Sequence, residues 1–287
     1  MTEYHWKPIG VMRAPFSDWR DRTLKEAWKL LALPFLLFIA TPLLAIFLRT
    51  PLADLLKNLD QSQVVQTINL SLITSLTTTA VTLLAGTPVA YLLGGHRFRL
   101  HRLVDTLIDL PTVLPPAVAG VALLMAFGRR GLLGPPLAAM GIQIPFTPVA
   151  VILAQTFIAA PLYIKAAAIG FSSIDPELKQ AAALDGASRR QIFRYVVLPL
   201  SWTALLSGSV MTWARALGEF GATIIFAGNF PGRTQTMPLA IYIGFEIDLN
   251  IALTLAVILI CFSFLALIVI KGFLHRRLDT AFEQLPA

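Results

Sequence analysis

The sequence contains a single cysteine, Cys261, so it makes no intrachain disulfide and offers no cluster of thiolates to a metal or a redox couple. Charge is scarce too: 14% of the 287 residues are Asp, Glu, Lys or Arg, 56% are hydrophobic, and the mean hydropathy is +0.72. Soluble domains carry about 25% charged residues, so this is the composition of an integral membrane protein. No G-x-x-x-x-G-K-[ST] phosphate loop, H-E-x-x-H pair or G-x-S-x-G elbow is present, which argues against ATP hydrolysis, zinc peptidase and serine hydrolase chemistry in this chain. His96 and His101 flank a loop of arginines and read as interfacial rather than as ligands, so no metal site is expected. Residues 1–29 lack an apolar core ahead of a small-residue cleavage site and are expected to stay in the protein.

What the chain does have is long apolar runs separated by short basic loops. The net charge of +7 does not indicate nucleic acid, because its basic residues are spread over those loops as the positive-inside rule places them. Phe16, Trp19, Leu24 and Trp28, interleaved with Arg20, Arg22, Lys25 and Lys29, predict a helix on the cytoplasmic interface, an anchor or a docking element. A first span over 30–48 contains Pro34 and Pro42, and a polar loop follows to about residue 66. The second span, 67–93, places Ser71, Thr74, Ser75, Thr78 and Thr82 on one helical stripe, either packing between helices or the wall of a wet pathway.

Asp109, Pro111, Pro115, Pro116 and Gly120 crowd the third span, 103–127, and predict a kink or break where it is buried in protein or lines a cavity. Residues 128–146 read as an outer loop, and the fourth span, 147–171, carries Lys165 near its inner end, within reach of water by snorkelling. A fifth span over 201–228, an outer turn NFPGRTQTMP and a sixth span to about residue 270 complete an all-α membrane protein of about six transmembrane helices. With both ends inside, sixteen Lys and Arg fall in cytoplasmic segments and five outside, which sets the orientation. The expected layout is an interfacial segment 1–29, a transmembrane domain 30–275 with a cytoplasmic loop 172–200, and a cytoplasmic tail 276–287.

Arg215 and Glu219 are the unusual charges of the fifth span. On one continuous helix they share a face with Ser209, Thr212 and Thr223. An internal salt bridge would account for the pair alone. The whole stripe, read with Thr78 and Thr82, points to the translocation pathway of a transporter.

Between spans four and five lies DPELKQAAALDGASRRQIFRYVVLP, residues 175–199. Asp175 caps a helix, Pro176 suits its first turn, Glu177 complements its dipole, and Gly186 stops it after Asp185. Ser188 and Gln191 form a capping box that opens a second short helix bearing Arg189, Arg190 and Arg194. Two short helices at a glycine elbow suit docking onto another protein; the alternative is an amphipathic hairpin lying on the membrane.

The pattern Gln180-Ala181-Ala182, three residues, Gly186, nine residues, Val196, one residue, Leu198-Pro199 resembles the EAA loop of permease subunits of bacterial and archaeal ATP-binding-cassette (ABC) importers. It departs from that loop at Gln180, where the family usually has Glu. LPTVLPPAVAGVALLMAFGRRGLLG from Leu110 and ARALGEFGATIIFAGNFPGRTQTMPLAIY from Ala214 are similar to segments of molybdate and tungstate permeases, and less closely to sulfate permeases. The resemblance runs from about residue 65 to 270. It implies a permease homodimer in the cell inner membrane, two cytoplasmic ATPase subunits that hold the ATP and Mg, and an external oxyanion-binding protein. It also implies that Gln180, Ala181, Ala182, Asp185, Gly186, Ser188, Arg189, Arg190, Leu198 and Pro199 couple the permease to the ATPase. An ion-coupled secondary carrier would need no ATPase partner and would leave the cytoplasmic hairpin unexplained. An intramembrane enzyme would need a convergent nucleophile and base that the spans do not display.

Overall fold

The computed structural model describes residues 17–95 and 98–282, with side chains for 31–95 and 98–272. Phe16, His96 and Arg97 lie outside the described residues, as do the side chains of Trp19, Arg20, Arg22, Leu24, Lys25, Trp28, Lys29, Arg276 and Arg277. The chain divides into two compact units at Arg49/Thr50.

The first unit is described as one helix, α1 (Ser17–Arg49), which runs without interruption through the expected boundary at residue 29. Its segment Leu31–Arg49 has a mean hydropathy of 2.5, apolar on all sides as a lipid-facing span requires. Pro34 and Pro42 are accommodated within it.

In the second unit the expected polar loop before residue 66 is mostly helical. α2 (Leu52–Leu59) precedes α3 (Ser62–Gly95). Asn58, the one buried residue of α2, ties it to the last helix: its amide donates to Thr254 Oγ1 at 2.8 Å, while its Oδ1 accepts from the nearby Gln61 side chain at 3.0 Å. The third span breaks as the prolines predict. α4 (His101–Val113) and α5 (Pro116–Phe127) meet at 117° across Leu114 and Pro115. A short α6 (Gly134–Ala139) follows, then α7 (Pro148–Ser172), started by Thr147, whose hydroxyl accepts from the Ala150 N–H, and by Pro148 in the first turn.

α7 is the centre of the unit, with α3 and α11 packed along it. Small residues set those approaches: a Cβ on Gly94 would sit 2.5 Å from the Ala168 carbonyl, and one on Gly208 2.9 Å from the Ala166 methyl. Lys165, part-exposed, has partners that the sequence did not show. It pairs with Asp105, and with Asp109 at 2.8 Å, both on α4, because α4 lies along this end of α7.

After α7 come α8 (Pro176–Leu184), α9 (Arg189–Ile192), a π-helical turn Phe193–Val197, α10 (Leu198–Leu200) and α11 (Trp202–Leu217). The segment Arg189–Leu200 meets α11 at 70°. The widened turn falls just before Pro199, which has no N–H with which to continue an α-helical ladder.

The fifth span is not the single helix expected over 201–228. α11 ends at Leu217, and α12 (Gly221–Phe226) starts after a break at residues 218–220. The sixth is also divided: α13 (Met237–Ile247) turns at Asp248 and packs back on α14 (Leu249–Phe282), where a Cβ on Gly244 would approach the Ala252 methyl to 2.9 Å. Among the described residues four helices are long and apolar enough to cross a membrane, or up to six if each bent pair counts as one span.

The segment NFPGRTQTMP is only partly an outer turn. Gly232 and Arg233 are exposed, but Thr234, Gln235 and Thr236 are buried, and the Met237 N–H donates to Ser71 Oγ on α3 at 2.7 Å. Thr234 serves the backbone of the turn itself, its Oγ1 accepting from the Phe230 N–H at 3.1 Å.

Candidate functional site

The hairpin after α7 forms from local chemistry. Asp175 Oδ1 accepts from the Glu177 N–H at 2.9 Å, and Gly186 ends α8 with φ of 85°. The Gly186 N–H donates to the Ala183 carbonyl at 3.1 Å and the Ala187 N–H to Ala182 at 3.0 Å, the paired bonds of a Schellman cap. Ser188 and Gln191 close the expected capping box: the Ser188 N–H donates to Gln191 Oε1 at 2.8 Å, and Ser188 Oγ accepts from the Gln191 N–H at 3.4 Å.

Of the residues expected to couple, Gln180, Ala181, Asp185, Gly186, Ser188, Arg189, Arg190 and Pro199 are exposed, while Ala182 and Leu198 are half-buried. Leu178 and Leu184 are also exposed, one helical turn to either side of Ala181, so α8 presents an exposed apolar stripe. Arg189, Arg190 and Arg194 add positive charge beside that stripe.

What ties the hairpin to the spans was not foreseen. Phe193 packs edge-on against Tyr91 of α3 with ring centroids 5.0 Å apart and lies 6.0 Å from Phe171 of α7; Tyr91 and Phe171 are themselves 5.7 Å apart. Val197 is fully buried beside them, and Lys179 Nζ donates to the Phe171 carbonyl at 3.3 Å. The hairpin is thus packed onto α3 and α7 through these rings rather than joined to them by a loose linker. The apolar run of Ile192, Phe193, Val196 and Val197, interrupted by Arg194, is the signal for this in the sequence.

The second cluster lies where the two broken spans meet. α5 and α12 pack through glycines: a Cβ on Gly120 would fall 2.7 Å from Ile225 Cβ, and one on Gly221 2.7 Å from Pro116 Cβ. Glu219, 1% exposed, sits in the break before α12. Its Oε2 accepts from Arg215 Nη1 at 2.7 Å and its Oε1 from the Ala222 N–H at 2.8 Å. The carboxylate thus neutralises a guanidinium and caps the next half-helix at once. The Arg215 side chain remains 36% exposed, with donors to spare beyond the one bond to Glu219.

The continuous polar face expected across 209–223 does not exist, because the break after Leu217 ends its helical periodicity. Ser209 is half-buried and donates to its own Leu205 carbonyl, while buried Thr212 donates to the Ala159 carbonyl of α7 at 3.3 Å. Thr223 is buried on α12. On α3 the hydroxyl stripe is likewise internal: Thr78 donates to Gln155 Oε1 at 3.0 Å, Ser75 Oγ accepts from Trp213 Nε1 at 3.1 Å, and Thr82 is buried. Of the two readings left open for that stripe, packing between helices is the one these bonds describe. Gln155, buried in α7, is a polar residue the sequence reading passed over; its isolation in an apolar span was the available signal.

Comparison with known proteins agrees with this architecture. The family model described as "Binding-protein-dependent transport system inner membrane component" matches residues 86–282. The probable transport system permease protein NifC of Clostridium pasteurianum is 35% identical over 252 residues, 88% of each chain. The molybdenum transport system permease protein ModB of Mycobacterium tuberculosis is 39% identical over 80% of this chain and 87% of its own. The molybdate/tungstate transport system permease protein WtpB of Thermococcus kodakarensis is 31% identical over 84% and 92%. Among solved structures, a chain of a bacterial ABC transporter for import of the acidic polysaccharide alginate superposes with a TM-score of 0.64 at 17% identity, covering 90% of this chain and 95% of that one. A chain of the inward-facing MetNI methionine ABC transporter gives 0.57 at 20% identity, covering 74% and 95%. This chain is a permease of the binding-protein-dependent transport system inner membrane component family.

Proposed function

We propose that the chain is the membrane-spanning subunit of an importer for molybdate- and tungstate-type oxyanions, working as a homodimer with two cytoplasmic ATPase subunits and an external binding protein. The observation that carries the substrate is kinship along nearly the whole chain with permeases named for molybdenum and for molybdate/tungstate transport. The part-exposed Arg215 guanidinium supports it, because it is a planar anion donor held near a helix break, with donors beyond the one that Glu219 takes. Ser209 lies on the same helix, half-buried, as a further hydroxyl for the pathway. Glu219, Thr212, Thr223, Thr78 and Thr82 stand behind that wall and hold its frame.

ATP and Mg belong to the partner subunits. Their closure draws in the α8–α9 hairpin, gripped at Leu178, Ala181, Leu184 and the arginines of α9. The Tyr91–Phe171–Phe193 cluster carries that motion to α3 and α7 and opens the pathway outward; hydrolysis reverses it. Labelled molybdate uptake by cells carrying this chain and its ATPase should be competed by tungstate and little affected by equimolar sulfate. Equal competition by sulfate would move the assignment to a sulfate-type permease, and uptake that survives loss of the ATPase would mean an ion-coupled carrier.

Orientation follows from the charge bias, with both termini in the cytoplasm. Single cysteines introduced at Asp60, Leu137 and Gly232, in a background with Cys261 replaced, should react with an impermeant maleimide added outside intact cells. Reaction only after the cytoplasmic side is opened would invert the topology and strand the hairpin on the wrong side of the membrane.

A further inference from the structure

A cavity of about 690 Å³ opens between the C-terminal end of α5, the stretch 133–146 around α6, and the turn before α13. Its polar lining includes Arg129, Gln143 and Arg233, and its apolar lining Leu124, Phe127 and Phe146. Arg129 Nη2 reaches Gln143 Oε1 at 3.4 Å, a long bond that leaves most of that guanidinium available. Two guanidinium groups therefore line one hollow together with an uncharged amide and no carboxylate. Phe146 is the one non-glycine residue with positive φ among the described residues, at 62°. It stacks edge-on with Phe230 at 6.1 Å while remaining 45% exposed. A strained backbone that holds an aromatic ring half in water at the edge of a cavity marks a place where the ring meets something else.

We infer that this cavity seats an acidic loop of the external binding protein, Arg129 and Arg233 taking its carboxylate while Phe146 and Phe127 pack against its apolar neighbours. The inference rests on the proposed function, since it places this end of α5 outside and assumes that a binding protein delivers the ion. The free oxyanion is the wrong occupant. Hollows of roughly 300–1,000 Å³ accept molecules the size of a drug or a few residues, and apolar walls contribute nothing to a small ion that lives by its hydrogen bonds. A loop that carries one carboxylate between apolar residues matches both halves of the lining: charge sets the approach, and buried rings set the lifetime.

The test uses the permease with its ATPase in nanodiscs, titrated with molybdate-loaded binding protein while ATP hydrolysis is followed. In Arg129→Glu/Arg233→Glu the half-saturating concentration of binding protein should rise at least tenfold, while the rate at saturation stays within twofold of wild type. In Arg129→Ala/Arg233→Ala, which keeps the fold with less electrostatic disturbance, the half-saturating concentration should lose most of its dependence on salt. A fall in the saturated rate at unchanged half-saturation would overturn the inference and make the cavity part of the ion's own route. Unchanged titrations in both variants would overturn it as well, as would a half-saturation that follows the anionic lipid content of the disc rather than the two arginines. If no binding protein stimulates the wild type, the functional reading itself fails, a result distinguishable from any of these.

Discussion

Gly186→Val should give a permease that reaches the membrane in normal amount yet fails to retain its ATPase through purification, with binding-protein-stimulated hydrolysis below about a tenth of wild type. The cause is confined to the backbone. Gly186 sits at φ of 85°, and a Cβ there would meet nothing within 4 Å, so no core packing is disturbed. A side chain in this conformation costs about 1–2 kcal/mol, and a β-branched one more. Each 1.4 kcal/mol is about a factor of ten in the population of the productive shape. The Schellman bonds Gly186 to Ala183 and Ala187 to Ala182 are then lost, and α9 leaves α8 at a different angle with Arg189 and Arg190 misdirected. Gly186→Asn, which tolerates the left-handed region, should keep most of the activity. Retention of the ATPase by the valine variant would remove the hairpin from the coupling path.

The hairpin could be read from sequence because every device in it is local. Asp175, Gly186 and the Ser188–Gln191 box each act within a few residues of themselves, so spacing alone specifies them. The break in the third span was equally open to view, since Pro115 and Pro116 forbid a continuous ladder whatever surrounds them. The break in the fifth span was hidden. Gly218-Glu219-Phe220-Gly221 contains no proline, and what ends α11 there is a buried carboxylate already committed to Arg215 and to the Ala222 N–H. The inward turn of Thr234, Gln235 and Thr236 was likewise invisible, because the Ser71 hydroxyl beside it comes from 166 residues away. So was the pairing of Lys165 with Asp105 and Asp109, which exists only once α4 has folded against α7. Polarity in a sequence marks where backbone or charge needs a partner, and only the fold says whether that partner is water.

That distinction decides how the Arg215–Glu219 pair should be tested. Glu219→Leu is expected to lower accumulation of folded permease, since it leaves the buried Ala222 N–H without an acceptor, at about 1–3 kcal/mol, and takes the counter-ion from an Arg215 side chain that is itself 36% exposed. Loss of transport in that variant says nothing about a pathway. Glu219→Gln keeps an oxygen for Ala222 while removing the charge, and should insert near wild-type level with molybdate uptake below about a tenth, because an unneutralised Arg215 holds the passing anion too firmly. The decisive variant is Arg215→Met combined with Glu219→Gln, which removes both charges, retains the cap on α12 and leaves no buried ion unpaired. It should accumulate as wild type and still transport below about a tenth, since the guanidinium that meets the oxyanion is gone. If uptake returned together with folding, the pair would be only the fastening of a broken helix, and the pathway would have to be sought on another face of α11.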